Sequence, residues 1–225
     1  MKIHILSIFP EIFSSFLGTS LIKKGLESGA LNISVKNFRD FAKPPHNKVD
    51  DTPYGGGAGM VMKPEPIVEA VEEAKQLLKS AKVILLSPRG ARFNQEKAKE
   101  LAKNKEIIFI CGRYEGIDER VSQLVVDEEI SLGDFVMMGG EVAAMAIIEA
   151  TARLLPGVIG NTESPIHESF SKAQLEAPQY TRPPEYRGLT VPEVLLSGDH
   201  KQINKWREDT AIQLTKSRRP DLSEK

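Results

Sequence analysis

Short runs of β-branched and aliphatic residues alternate with helically patterned segments through the first two thirds of the chain, and this alternation constrains the fold most. Ile3, Ile5, Leu6 and Ile8 form the first run. Leu31 to Phe38, Lys82 to Ser87, Ile107 to Cys111 and Val125 to Ser131 repeat it. Runs of this length and composition read as buried strands. Between them lie apolar residues at helical spacing: Ile12, Phe13, Phe16 and Leu17 after Pro10; Thr19 to Ser28 up to Gly29; and Ile67, Val68, Val71, Ala74, Leu77 and Leu78. Asn94 is a candidate cap for a helix reaching about Lys103, and a long apolar helix is expected from Glu141 to Leu155. Strands alternating with helices predict an α/β domain with a mostly parallel sheet. Ligands of such sheets bind beyond the carboxyl ends of the strands, here Ser87-Pro88, Gly112-Arg113 and Leu132-Gly133.

The 225 residues suffice for one large domain, or for a domain plus a small appendage. A single cysteine, Cys111, excludes an internal disulfide, and four scattered histidines give no zinc-ligand spacing. No stretch approaches the roughly 18 apolar residues of a membrane span, and the expected setting is the cytoplasm. The net charge of −1 argues against a chain coated in basic residues. From Lys172 onward ten Lys and Arg stand against eight Asp and Glu, a weak basic bias that on charge alone favours an ordinary solvated surface.

Two regions break the periodicity. Between Arg39 and Met62 lie Pro44-Pro45-His46, Asp50-Asp51-Thr52-Pro53-Tyr54 and the run Gly55-Gly56-Gly57-Ala58-Gly59; aperiodic stretches of this length are usually functional or disordered. The second, Asn161 to Lys172 with Pro178, Pro183 and Pro184 beyond it, reads as a linker. Helical character returns at Pro192–Leu196. Gly198 ends that segment, Asp199 can cap the next, and Ile203, Trp206, Thr210 and Leu214 mark its buried side. The expected division is a domain over residues 1–160, a flexible linker over 161–175 and a helical C-terminal module over 176–225.

The glycine run at 55–59 lacks the Lys-Ser/Thr pair of a phosphate loop, and by itself reads as a flexible turn. The segment Gly112-Arg113-Tyr114-Glu115-Gly116 is more specific, since its glycines allow close backbone approach beside a cation, an aromatic face and a carboxylate. Gly139-Gly140-Glu141 opens a helix with free N–H groups, with Glu141 placed favourably for the helix dipole. Arg153 follows Glu149 by four residues and sits where the helix dipole favours a cation, so sequence physics alone reads it as structural.

Taken together, Asp50 to Gly57, Leu86-Ser87-Pro88, Cys111 to Val121, Leu132 to Glu141 and Tyr180-Thr181-Arg182-Pro183 resemble the TrmD family, the bacterial tRNA (guanine-N1)-methyltransferases. The similarity runs from Ile8-Phe9-Pro10-Glu11 to Arg218-Arg219-Pro220. It implies methyl transfer from S-adenosylmethionine to N1 of the guanosine at tRNA position 37. It also implies a knotted SPOUT-type methyltransferase fold, a homodimer with active sites at the interface, and dependence on magnesium at a site the sequence does not locate. The alternatives are a related knotted RNA methyltransferase with another target atom, and a tRNA-binding module without turnover.

By the same resemblance the methyl donor is held by Leu86, Ser87, Pro88, Gly112, Tyr114, Gly116, Leu132, Gly133, Asp134, Phe135, Val136, Met137, Gly139 and Gly140. Asp50, Arg113 and Glu115 meet the RNA, with Glu115 suited to accept hydrogen bonds from base amino groups. Arg153 stabilises charge developing on the guanine. The general base departs from the family pattern: an aspartate usually precedes Ser-Phe, whereas this chain has His167-Glu168-Ser169-Phe170. Glu168 is the expected base and His167 a possible substitute. Met138 stands where the family usually carries a small hydroxyl residue. In the C-terminal module Lys201, Lys205, Arg207, Lys216, Arg218 and Arg219 are candidates for phosphate contacts, and Trp206 is expected to be a core anchor.

Overall fold

The computed structural model describes residues 1–159, 168–171 and 173–222. The chain divides into two compact units, Met1–Gly160 and Asn161–Lys225.

The first unit is built on a five-stranded parallel sheet. Its strands are β1 (Lys2–Ser7), β2 (Asn32–Asn37), β5 (Lys82–Arg92), β6 (Glu106–Cys111) and β7 (Glu128–Ser131), in the order β2-β1-β6-β5-β7. A separate antiparallel pair, β3 (Asp50–Asp51) with β4 (Val61–Met62), occupies part of the stretch that reads as aperiodic. The helices are α1 (Ser14–Leu17), α2 (Ser20–Glu27), α3 (Pro64–Leu77), α4 (Gln95–Leu101), α5 (Glu119–Val125) and α6 (Glu141–Ala152).

Both faces of the sheet are covered, which is why its central strands are continuously apolar. In β6, Ile107, Phe109 and Cys111 join Ile3, Ile5, Ile84 and Leu86 in one core, completed by Ile22 of α2, Leu101 of α4 and Ile147 and Ile148 of α6. Ile108 and Ile110 face the other way, with Leu6, Val83 and Leu85 and with Ile67 and Val71 of α3 and Val121 of α5. Fully burying each such side chain is worth about 1.5–3 kcal/mol.

Asn94 caps α4, accepting the Lys97 N–H at 2.9 Å. The strand expected to end at Ser87 instead continues to Arg92, with its pairing to β7 interrupted between Leu86 and Ala91. At Gly90 any Cβ would strike the backbone of Glu129 and Ile130. Glycine therefore lets the strand re-pair after Ser87–Arg89 have looped out.

In the second unit a long helix, His200–Arg218, starts where the sequence indicates: Asp199 accepts the N–H groups of Lys201 and Gln202 at 3.0 and 3.1 Å. Its buried side carries Ile203, Ala211 and Thr215, flanked by half-buried Trp206, Thr210 and Leu214. Trp206 packs tilted against Tyr180, with ring centres 6.3 Å apart. The unit is not wholly helical, because Glu185–Tyr186 pairs antiparallel with Leu189–Thr190. Arg187 and Gly188 turn that hairpin with φ of 53° and 81°, the positive pair a two-residue hairpin turn requires.

Candidate active site

The carboxyl ends of β5, β6 and β7 converge on a cleft of about 380 Å³, a size typical of small-molecule sites. Leu86, Ser87 and Pro88 form one wall, Gly112 to Ile117 a second, and Ile130 to Leu132 with Phe135 to Gly140 a third. Of the residues expected to hold the methyl donor, Leu86, Ser87, Pro88, Gly112, Tyr114, Gly116, Leu132, Phe135, Val136, Met137, Gly139 and Gly140 line this cleft. Arg113 and Glu115, expected to meet RNA, line it too. Gly133 and Asp134 are not part of the lining; the exposed Asp134 carboxylate pairs with Arg92 at 3.3 Å.

Local structure explains the glycines. Gly140 N–H donates to Gly112 O at 2.9 Å, bringing the start of α6 against the end of β6. A Cβ on Gly140 would lie 2.9 Å from Cys111 Cα and 3.2 Å from Gly112 N, closer than packed atoms allow. Tyr114 stands in the left-handed region at φ 61° without being glycine, a strained conformation of the kind that clusters at functional sites.

The glycine-rich loop is not an independent flexible turn. Its far end docks on the second wall: Glu115 N–H donates to Met60 O at 3.0 Å, Met62 N–H to Gly116 O at 2.9 Å and Asp118 N–H to Met62 O at 3.0 Å. Gly59, at φ 80°, is where the Glu115 carboxylate lies; a Cβ there would collide with it. Long-range pairing of this kind leaves no periodic trace in sequence.

Sequence reasoning also missed what surrounds Glu141. This residue opens α6, where its charge suits the helix dipole, but it is only 1 % exposed, and buried charge calls for closer partners. Ser7 Oγ donates to its Oε1 at 2.7 Å, and Arg113 Nε lies 2.9 Å from its Oε2. Burial, reinforced by the negative charge of Glu141, pushes the neighbouring Cys111 thiol well above its usual range. Leu85, Arg89, Ile117, Ile130, Ser131, Met138 and Ala143 complete the lining; strand alternation signalled Leu85 and Ile130, whereas nothing distinguished Arg89 or Ala143.

Other expected residues lie apart from this cleft within the first unit. Asp50 sits in the β3–β4 pair, half-buried and outside the lining. Arg153, just past α6, lines a different cleft with Glu149, Ala152, Val158 and residues of α1 and α2. Glu168 belongs to the second unit and is half-buried; its backbone carbonyl accepts from the Ser171 hydroxyl at 2.7 Å. His167 and residues 161–166 of the expected linker lie outside the described residues. From Phe170 onward the chain is tied to the long helix, with Leu175 N–H donating to Thr215 Oγ1 at 2.9 Å and the Arg219 guanidinium 5.6 Å from the Phe170 ring centre.

A parallel α/β sheet with a glycine-lined cleft at its strand ends defines a class of proteins that bind a small organic ligand. The particular family follows from comparison: the model of tRNA (Guanine-1)-methyltransferase TrmD matches residues 1–225. A tRNA (guanine-N(1)-)-methyltransferase of Bacillus cereus is 51 % identical over 223 residues, covering 99 % of this chain and 91 % of that protein. One from Bacillus anthracis is 51 % identical over 225 residues, covering 100 % and 92 %. The chain belongs to the TrmD family and is an enzyme. No helix among the described residues is long and apolar enough to cross a membrane.

Proposed function

We propose that this enzyme methylates N1 of the guanosine at tRNA position 37, with S-adenosylmethionine as donor and the cleft at the ends of β5, β6 and β7 as the donor site. The observation that carries the reading is this cleft in a chain matched along its whole length by the TrmD family. The lining suits the donor. Leu86, Ile130, Leu132 and Ala143 offer apolar surface for a purine ring, and Gly140 shapes the cleft by holding the start of α6 against the end of β6, where a Cβ would meet Cys111 Cα.

The donor supplies an electrophilic methyl group; the protein's part is positioning, electrostatics and removal of one proton. Glu115 accepts hydrogen bonds from the guanine amino edge. Glu168 takes the N1 proton, with His167 as the alternative base. Arg153 stabilises the negative charge that proton loss leaves on the guanine, and Asp50 contributes to RNA binding. Among the described residues no three His, Cys, Asp or Glu side chains come together as a metal site. Magnesium, which the family implies, is held by one or two carboxylates with waters and substrate oxygens and would not need such a cluster.

The reading extends to the architecture. The family supports a knotted SPOUT-type chain path and a homodimer whose active sites combine residues of both copies. Residues 1–160 would hold the donor and the C-terminal module would grip tRNA phosphates, all in the cytoplasm. The test is labelled S-adenosylmethionine offered with tRNAs carrying guanosine or adenosine at position 37, followed by nucleoside analysis. Label at guanine N1 is expected; label at another atom, or binding without product, would overturn the proposal. Glu168→Ala is expected to lower the rate at least a hundredfold, since misplacing a catalytic group by about 1 Å already costs roughly that much. Full activity in Glu168→Ala, together with loss in His167→Ala, would transfer the role to His167.

A further inference from the structure

We infer that Glu141 is a positioning residue: its buried carboxylate, oriented by Ser7, fixes Arg113 so that the terminal guanidinium nitrogens meet the O6 and N7 edge of the substrate guanine. The inference rests on the proposed reading of the cleft as a tRNA methylation site.

A carboxylate is costly to bury and is retained only when paired. A partly exposed first-turn Glu would satisfy the α6 dipole equally well, so the burial of Glu141 needs a further cause. That cause is a chain of contacts leading to the cleft. Ser7, fully buried, accepts the Phe9 N–H on Oγ at 3.0 Å and donates to Glu141 at 2.7 Å. Glu141 Oε2 then lies 2.9 Å from Arg113 Nε. The N–H does not point squarely at the oxygen, so the pair is held by charge and proximity. The guanidinium carbon of Arg113 lies over the Phe9 ring, 4.8 Å from its centre, a favourable cation–π distance. Gly139 makes room for the pair, since a Cβ there would strike Arg113 Nε and lie 2.6 Å from Glu141 Oε2.

These contacts engage the Nε end of the guanidinium and set it over the Phe9 ring. Its terminal nitrogens have no hydrogen-bond partner among the described residues, and the side chain lines the cleft. Two positions along, Glu115 lines the same cleft. A cation and a carboxylate side by side complement guanine, whose O6 and N7 accept while its amino group donates. Adenine offers an amino group where guanine has O6, so the pair also discriminates between the two bases.

The test uses the full-length protein and the variants Glu141→Gln, Ser7→Ala, Arg113→Lys and the Arg113→Lys/Glu141→Gln double. Thermal unfolding verifies that each is folded. Dissociation constants are measured for tRNA with guanosine or adenosine at position 37, and for S-adenosylmethionine by calorimetry. Glu141→Gln is expected to weaken guanosine-37 tRNA binding roughly tenfold, the size of one charge-assisted hydrogen bond. Adenosine-37 tRNA and the methyl donor should change by less than about twofold, and the double variant should be no weaker than Arg113→Lys alone. Ser7→Ala removes no charge and should weaken binding in the same direction by a smaller factor, which keeps the inference testable if Glu141→Gln unfolds. Multiplying effects in the double variant, or a loss confined to the methyl donor, would overturn it. So would a drop of about one in the salt dependence of binding, which marks a phosphate contact instead of a base contact. A wild-type protein that binds tRNA without methylating it would defeat the functional reading, while the binding comparison would still decide the role of Glu141.

Discussion

Two glycines make opposite contributions to the cleft. Gly140 keeps the first turn of α6 against the end of β6, where a Cβ would meet Cys111 Cα at 2.9 Å. In Gly140→Ala the helix start must move away from the strand. Donor affinity, read by calorimetry, should fall at least tenfold, and the melting temperature should drop, because overpacking costs typically 1–3 kcal/mol. Gly59 keeps the glycine loop clear of Glu115. Gly59→Ala should leave donor affinity unchanged and slow methylation of guanosine-37 tRNA about a hundredfold, through displacement of the carboxylate; unaltered single-turnover rates would contradict that role for Glu115. The Gly112–Gly116 and Gly139–Gly140 turns could be read from sequence because each joins an apolar run to a helical one. The purpose of Gly59 could not, since its partner lies more than fifty residues downstream. The partners of Glu141 are hidden for a similar reason: a carboxylate at a helix start has a sufficient local explanation, and only the fold reveals Ser7 and Arg113 beside it.

The strands and helices of the first unit were legible as elements because two buried faces impose continuous apolar runs and one buried helix face imposes a period near 3.6. Boundaries set by distant neighbours were not, such as the continuation of β5 past Ser87 and the β3–β4 pair. Beyond the β5–β7 ladder and buried Ile130, ion pairs also fasten the edge of the sheet. Glu128 of β7 pairs with Lys82 of β5 and Lys97 of α4, each at 2.7 Å. Burial opposes its charge, but pairing with the two ammonium groups prevails and holds its carboxyl below the usual range. A carboxyl depressed in the folded state adds stability that is complete above its unfolded pKa of about 4.3 and is lost as pH falls through the lower folded value. Glu128→Gln should therefore melt about 2–4 °C lower at pH 7, and the gap from wild type should close as acid protonates the carboxyl. A gap that stays constant from pH 7 to pH 3 would mean that the ion pairs contribute nothing and that shape alone matters. Glu128 with help from Glu100 raises the pKa of Lys82, and Glu100 followed by Glu128 raises that of Lys97. Their contribution is complete below the unfolded lysine value and fades only as pH rises through the folded one, so the edge weakens at both extremes.

At the scale of the whole molecule, the first unit carries exposed apolar residues at and just before the start of α6. Phe135, Val136 and Met138 are 57, 85 and 89 % exposed, and Val142 on the first turn of α6 is 55 % exposed. Runs of large exposed apolar residues mark surfaces that bind something. Phe135 to Met138 also line the cleft, so their exposure alone does not separate a ligand from a second copy. Val142 lies outside the cleft lining while its neighbour Glu141 points into the core, so a ligand confined to the cleft does not cover it. The proposed homodimer, with active sites shared between copies, would cover Val142 and would bring a partner's residues to a cleft that, within the first unit, lacks Arg153 and Asp50. Composition could not have announced this, since an exposed valine in an apolar helix has the same sequence signature as a buried one. Val142→Asp places a charge in the proposed interface without touching the cleft wall. Light scattering should then show monomers at concentrations where wild type is dimeric, and the methylation rate should fall with the dimer population and recover at high protein concentration. Donor affinity should change less than tRNA affinity, since the cleft walls formed by β5, β6 and β7 belong to one copy. A dimeric Val142→Asp protein with wild-type activity would exclude this face from the interface; a monomer of undiminished activity would remove the need for a shared site.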